Sequence, residues 1–374
     1  MQSTMQQTPS SKKNSTVSNT RLTSMALALA LTSAAPVALA SPSISGGFWM
    51  NYRYHVDSGI DETRDEHTGG DIADEAIIFY ITDKPKDKPW SFESEIRFGP
   101  GAFTRPTSNS TGDNFGIHKA WMGYQLDDAH SVKVGKSQVP FGIKNSSFWP
   151  GDMLMGGFGD QMDVGFKLSG GQDLLTYNLA YFHADDWGET STDTMDDNGH
   201  WGTPTTYRKV QTAVADASYQ VADNHTVGAS YQNGQLQDLE GTDPENPLSG
   251  SHNAAVAYYQ GKVSDIGIKA QYLSTERRLP KSLNKEFVQN TRTMLELSYS
   301  QDDYFFYVEG NWASPDTEGN SAGDVAAYAY GMMYDYGPGW FYVEYLAQDG
   351  YVDASGMLGE GDFEALYVTL DYYF

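Results

Sequence analysis

The sequence predicts an all-β fold, a transmembrane antiparallel β-barrel of sixteen strands with a long third loop folded into its lumen. Three observations lead there. The chain ends on an alternating stretch in which Leu366, Val368, Leu370, Tyr372 and Phe374 share one face and Tyr367, Thr369, Asp371 and Tyr373 the other. Alternation of period two marks a strand with one oily face. Residues 1–40 read as a secretory signal peptide: Lys12, Lys13 and Arg21 form a basic lead, Met25 to Leu31 an apolar core, and Ala38-Leu39-Ala40 a cleavage site. Beyond it no apolar run is long enough to cross a bilayer as a helix. An exported chain whose strands are oily on one side satisfies its backbone in lipid only by closing into a barrel. Residues 41–374 are therefore expected to be one outer-membrane barrel domain.

The strands follow from pairing amphipathic runs around short turns. Gly47 to His55 is the first, with Met50, Tyr52 and Tyr54 outward and Asn51, Arg53 and His55 inward. The second, Ala73 to Thr82, is apolar on both faces, which leaves its facing open. The third sets Trp90, Phe92, Ile96 and Phe98 toward lipid and Glu93, Glu95 and Arg97 toward the lumen. Lys119, Lys133 and Lys167 are the inward bases of strands four to six. Strands seven to eleven carry Leu175 to Tyr181, Tyr207 to Val221 (with Arg208 and Asp216 inward), Val227 to Tyr231, His252 to Lys262 and Ile266 to Tyr272. Strands twelve to sixteen bring Glu296, Glu309, Glu344 and Asp371 inward. Strands two, ten and fourteen are weakly patterned, so fourteen or eighteen strands remain alternative counts. Each run offers the roughly 9–11 residues that a tilted crossing needs.

Composition narrows function. The full chain carries −25, and residues 1–40 hold three bases and no acid, so the remainder sits at −28. That argues against nucleic acid as a partner, since binding it needs basic patches. There is no cysteine, so disulfides do not hold the exported fold. Acidic runs at Asp57 to Asp71 and Asp193 to Asp197 read as loops. They form either a solvated surface or a site where divalent cations bridge to anionic lipopolysaccharide. The eight histidines show no metal-ligand pair and no HExxH helix. His118 with a serine on another strand would only imitate a catalytic pair. The chain is expected to be no enzyme, without metal or cofactor.

Val132-Lys133-Val134-Gly135-Lys136-Ser137-Gln138-Val139-Pro140-Phe141-Gly142-Ile143, followed by Asp163-Val164-Gly165-Phe166-Lys167-Leu168-Ser169-Gly170, resembles a signature of the family named for the phosphate-selective porins O and P. The overlap spans about forty residues. The resemblance implies a porin fold, a homotrimer and a constriction built by the loop after strand five, Pro140 to Gln161. Asp152 and Asp160 are the candidate charges of that loop. The phosphate channels of the family line their pore with arginines; residues 41–374 have only eight, so phosphate selectivity does not carry over.

The bases Arg53, Arg97, Lys119, Lys133, Lys167 and Arg208 thus face the acids Glu296, Glu309 and Glu344 across the pore, with Glu93 and Glu95 among the bases. Such a layout orients polar solutes at a constriction. The expected function is passive diffusion of small hydrophilic solutes or ions. A channel selective for phosphate, organic acids or sugars, and an adhesion or receptor barrel with a blocked lumen, are the alternatives. Expected partners are outer-membrane lipid, lipopolysaccharide and the barrel-assembly machinery, the last through the strand ending at Phe374.

Overall fold

In the computed structural model, residues 42–99, 115–147, 161–184, 207–239, 241, 243–280, 287–352 and 356–374 are described. They hold sixteen strands: β1 Ser43–Asp57, β2 Asp71–Asp83, β3 Trp90–Phe98, β4 Phe115–Gln125, β5 His130–Gln138, β6 Met162–Gln172, β7 Leu175–Ala184 and β8 Tyr207–Ala222, then β9 His225–Asp238, β10 Gly250–Val263, β11 Ile266–Arg278, β12 Phe287–Gln301, β13 Tyr304–Pro315, β14 Val325–Asp335, β15 Trp340–Val352 and β16 Leu358–Tyr373. Each pairs antiparallel with its neighbours in sequence, and β16 pairs with β1 to close a barrel. The seam runs from Gly47↔Tyr373 to Asp57↔Glu364. Past it, Gly46 and Phe374 exchange both backbone hydrogen bonds, at 2.8 and 2.9 Å. Closure leaves no strand edge exposed, as lipid requires. Among the described residues no helix is long and apolar enough to cross a membrane. The signal segment lies outside them.

Chemistry at the short connections explains their tightness. β6–β7, β8–β9, β10–β11 and β12–β13 are joined by two residues each, with Asp173, Asn224, Ser264 and Asp302 in the left-handed region at φ 52°, 60°, 54° and 50°. Asp and Asn tolerate that conformation best after glycine, and it matches the twist of the flanking strands.

The outward face is oily: Phe92, Met122, Val134, Phe166, Leu179, Leu295, Val308 and Leu370 all stay exposed. β2 resolves its ambiguity by register. Ala76 and Ile78 pair with inward Trp49 and Gly47 and are buried, while Ile77 and Phe79 are exposed. Its inward apolar residues pack with Trp49 and Tyr80 in a small cluster inside the barrel.

Two features depart from the sequence reading. The acidic stretch after β1 is not all loop, because Ile60–Thr68 forms a helix, α1, closed by left-handed Gly69. The interior is also not uniformly a wet wall. Val139 and Phe141 bury themselves against Ala180, Phe182, Val214, Ala254, Val256, Tyr258, Leu273 and Met294. Those side chains belong to β7, β8 and β10–β12.

Candidate functional site: the inner wall and the arm of the third loop

The inner wall is built by register. From β1 through β6 one face carries Arg53, Glu95, Arg97, Lys119, Lys133 and Lys167. Arg97 is held twice: its Nη2 lies 2.7 Å from Glu95 Oε1, and its guanidinium stands 5.2 Å from the centre of the Trp49 ring. Lys119 is ion-paired with Glu93. Arg53 lies 4.0 Å from Asp71, a loose pair. Lys133 and Lys167 differ from these. They sit directly opposite each other on β5 and β6. Lys133 Nζ lies 3.8 Å above the centre of the Trp121 ring, and Lys167 Nζ donates to the Gln138 carbonyl at 2.7 Å. Like charges directly opposed across a ladder repel, and neither ammonium has a carboxylate in ion-pair contact among the described residues. The pair is thus the least neutralised positive patch on this wall.

The acids on the far side are engaged by the chain itself. The loop leaving β5 runs, as residues 139–147, onto inward side chains of β9, β11, β12 and β13. Gly142 N–H donates to Ser230 Oγ at 3.0 Å. Ile143 exchanges two bonds with the Gln271 amide, at 2.9 and 2.6 Å. Ser146 donates its N–H and its hydroxyl to the two oxygens of Glu296, both at 2.7 Å. Asn145 Nδ2 donates to Glu309 Oε1 at 2.6 Å. Lys269 Nζ closes the group at 3.3 Å from Glu296. Glu344 accepts from the hydroxyl of Tyr307. Gly142 has φ 67°, a conformation that glycine takes without strain and that carries the arm across the wall. Phe148 onward, including Asp152 and Asp160, lies outside the described residues.

Arg208 is a correction. Counting by twos puts it inward, but Gln211 adopts φ 52° and adds a residue to β8, shifting the register between Val210 and Ala213. A bulge reverses the facing beyond it. Lys209, paired with buried Leu236, takes the inward position, and Arg208 bonds Gln237 at 2.8 Å on the opposite face.

Sequence reasoning missed Lys269, although Ile268 and Ala270 outward place it inward by simple alternation. It also missed the contact between β1 and α1. Asp65 is 1% exposed and accepts two bonds from His55, from the backbone N–H and from Nδ1, both at 2.8 Å. No local pattern signals a pair ten residues apart across a loop. These bonds, the backbone one first, hold the Asp65 carboxyl below its usual range against the opposing effect of burial. A carboxyl whose folded pKa is depressed contributes stability above its unfolded value, and that contribution is lost as pH falls through the folded one. The Asp65→Asn variant is expected to lower hydrogen-exchange protection across residues 60–69, relative to the intrinsic rate at neutral pH, by about tenfold. Unchanged protection would show that α1 is held by other contacts.

Among the described residues no group of three or more His, Asp or Glu is placed to hold a metal. No protein-family model matches the sequence, and no curated protein does. Solved structures do match by shape. OmpF of Salmonella typhi, solved with daunomycin, superposes with a TM-score of 0.62 at 12% identity, covering 89% of this chain and 97% of its own. The trimer form of OmpT, an outer-membrane protein of Vibrio cholerae, gives 0.61 at 12%, covering 89% and 99%. An anion-selective porin from Comamonas acidovorans gives 0.57 at 8%, covering 89% and 99%. At these identities the likeness is one of fold: a closed sixteen-strand barrel of the kind found in outer-membrane porins.

Proposed function

We propose that the protein is an outer-membrane porin, passing small hydrophilic solutes and ions by diffusion, with a preference for anions. The observation that carries the reading is the division of the inner wall. The acids Glu296 and Glu309 are covered by the loop arm, and Glu93 and Glu95 are ion-paired, while Lys133 and Lys167 face each other with no carboxylate in ion-pair contact among the described residues. Loop charge at the mouths is negative, but exposed charge is screened within about 8–10 Å at physiological salt. The wall at the constriction therefore sets selectivity. In this reading the whole third loop, with Asp152 and Asp160, completes the constriction, and residues 1–40 direct export.

A channel with its own affinity for small oxyanions or organic acids is the second reading, supported by the opposed Lys133 and Lys167 and not by the resemblance. The trimeric form among the structural neighbours supports a homotrimer, and lipid, lipopolysaccharide and the assembly machinery, through the strand ending at Phe374, are the partners that the barrel surface implies.

Reconstitution in planar bilayers tests the proposal. Stepwise conductance is expected, with a reversal potential of anionic sign in a salt gradient. A barrel that folds and inserts yet stays electrically silent would instead fit a receptor or adhesin with a blocked lumen. Phosphate that blocks the chloride current at micromolar concentration would mark a selective channel rather than a general one.

A further inference from the structure

The lipid-facing wall carries a hollow over β7 to β11. Ala217, Ala229 and Ala257 stand directly opposite one another on β8, β9 and β10. In the next row Ala215 and Ala255 flank Tyr231. A methyl group reaches little beyond the backbone, while Leu179 on β7 and Tyr272 on β11 rise exposed on either side. Between them lies an apolar trough of about 760 Å³. Surface without partner atoms forfeits its dispersion contacts, so the trough favours an occupant that fits it.

The same face turns polar toward the end opposite the two-residue turns, which is the outside of an outer-membrane barrel. Asn233 and Asn253, paired on β9 and β10, form the row above the alanines. Beyond them stand Arg208 on β8 and Arg278 on β11. Arg208 gives its Nε to Gln237 at 2.8 Å, and Arg278 is exposed. Glu276 shares the face two residues before Arg278, yet neither arginine has a carboxylate in ion-pair contact among the described residues. The other described strand arginines, Arg53, Arg97, Arg277 and Arg292, face inward. Two outward guanidiniums therefore cap the one face that carries the trough. β8 and β11 are three strand spacings apart, roughly 14 Å. That separation suits a headgroup with two phosphates better than one with a single phosphate.

Guanidinium forks take phosphate in bidentate fashion, and bases at a membrane surface attract anionic lipid. An acyl chain below and a doubly phosphorylated headgroup above complement this face in both shape and charge. We infer that the outward face of β7–β11 is a fixed binding site for lipopolysaccharide, with an acyl chain in the alanine trough and the phosphates of its disaccharide anchor on Arg208 and Arg278. The site rests on the outer-membrane reading and gives lipopolysaccharide a defined place on the barrel.

The test uses the full barrel in detergent, freed of native lipid, with purified bisphosphorylated lipid A as the probe and native mass spectrometry as the readout. The parent is expected to hold lipid A about tenfold more tightly than phosphatidylglycerol, which offers a single phosphate. Arg208→Gln with Arg278→Gln should weaken lipid A by about fivefold for each base, roughly twenty-five-fold together. Ala257→Phe fills the trough from an exposed position and should weaken it by about tenfold, with closure of each variant checked by heat-modified mobility on gels. The chain has no cysteine, so Ala229→Cys places a unique thiol in the trough, and lipid A should protect it from a maleimide. Equal affinity for lipid A and phosphatidylglycerol, or for parent and double variant, would overturn the inference. So would a cross-link between copies through Ala229→Cys, which would assign the trough to a second copy. Conductance in phosphatidylcholine bilayers separates the site from the porin reading. A conducting parent that does not bind lipid A sinks the site alone, whereas a silent barrel that binds it supports the site and counts against the porin.

Discussion

Replacing Glu296 with alanine is expected to undock the third-loop arm while leaving the barrel closed. The side chain accepts two bonds from Ser146 and one contact from Lys269, with 0% of the residue exposed. Hydrogen bonds to a charged group contribute about 1.5–3 kcal/mol each. Removing one partner of a buried pair costs about 3–5 kcal/mol, less here because the Lys269 side chain is 25% exposed. A net loss of about 3 kcal/mol weakens docking by roughly a hundredfold. The barrel does not share the loss, since β12 keeps its backbone ladders to β11 and β13. The measurement is open-channel noise together with tryptic cleavage after Lys144, which is exposed on the arm. Both should rise severalfold. A quiet channel with an intact arm would show that the apolar contacts of Val139 and Phe141 hold the arm by themselves. Glu296→Gln, which keeps an acceptor for one of the two bonds, should fall between.

The largest change in selectivity is expected from Lys133→Glu combined with Lys167→Glu. A unit charge acts on a permeant ion at about 7 Å with roughly 0.6 kcal/mol in a water-like medium. The double reversal changes the wall by four units, and screening at physiological salt removes about half or more of the total. About 1 kcal/mol remains for each ion, unfavourable for the anion and favourable for the cation, so the anion-to-cation permeability ratio shifts toward cations by about 2 kcal/mol, roughly thirtyfold, and more at low salt. Reversal potentials in a salt gradient read it directly. An unchanged ratio would mean that these lysines do not line the narrow part of the pore. Arg97 should matter less, because Glu95 at 2.7 Å already neutralises it.

Much of this architecture could be read from the chain because a lipid-facing barrel writes its pattern in single strands. Trp90, Phe92, Ile96 and Phe98 against Glu93, Glu95 and Arg97 needed only the period of two, and β3 has the bounds that alternation gives. Where the pattern failed, the cause was local. β2 carries Ala76 and Ile78 inward because Trp49 offers them an apolar partner across the seam of β1. No reading of β2 alone contains that partner. Arg208 was misplaced because one residue of left-handed backbone at Gln211 outweighs any count by twos. α1 was hidden because its hold, Asp65 on His55, is a tertiary contact rather than a helical repeat.

The chain alone carries the closed barrel, sixteen as the favoured strand count with fourteen and eighteen as alternatives, the outward oily face and most of the inward charges; the structure settles the count at sixteen. These follow from backbone satisfaction in lipid and from alternation, both of which act within a strand or between neighbours. The tertiary structure alone decided which charges are spent and which are available. Glu296 and Glu309 look like free lumen acids until the arm of residues 139–147 is laid across them. Lys133 and Lys167 look like two bases among many until register sets them face to face. Charge on a wall acquires its effect from its neighbours across strands and across the lumen, and those neighbours are assigned by closure of the barrel, not by the order of the chain.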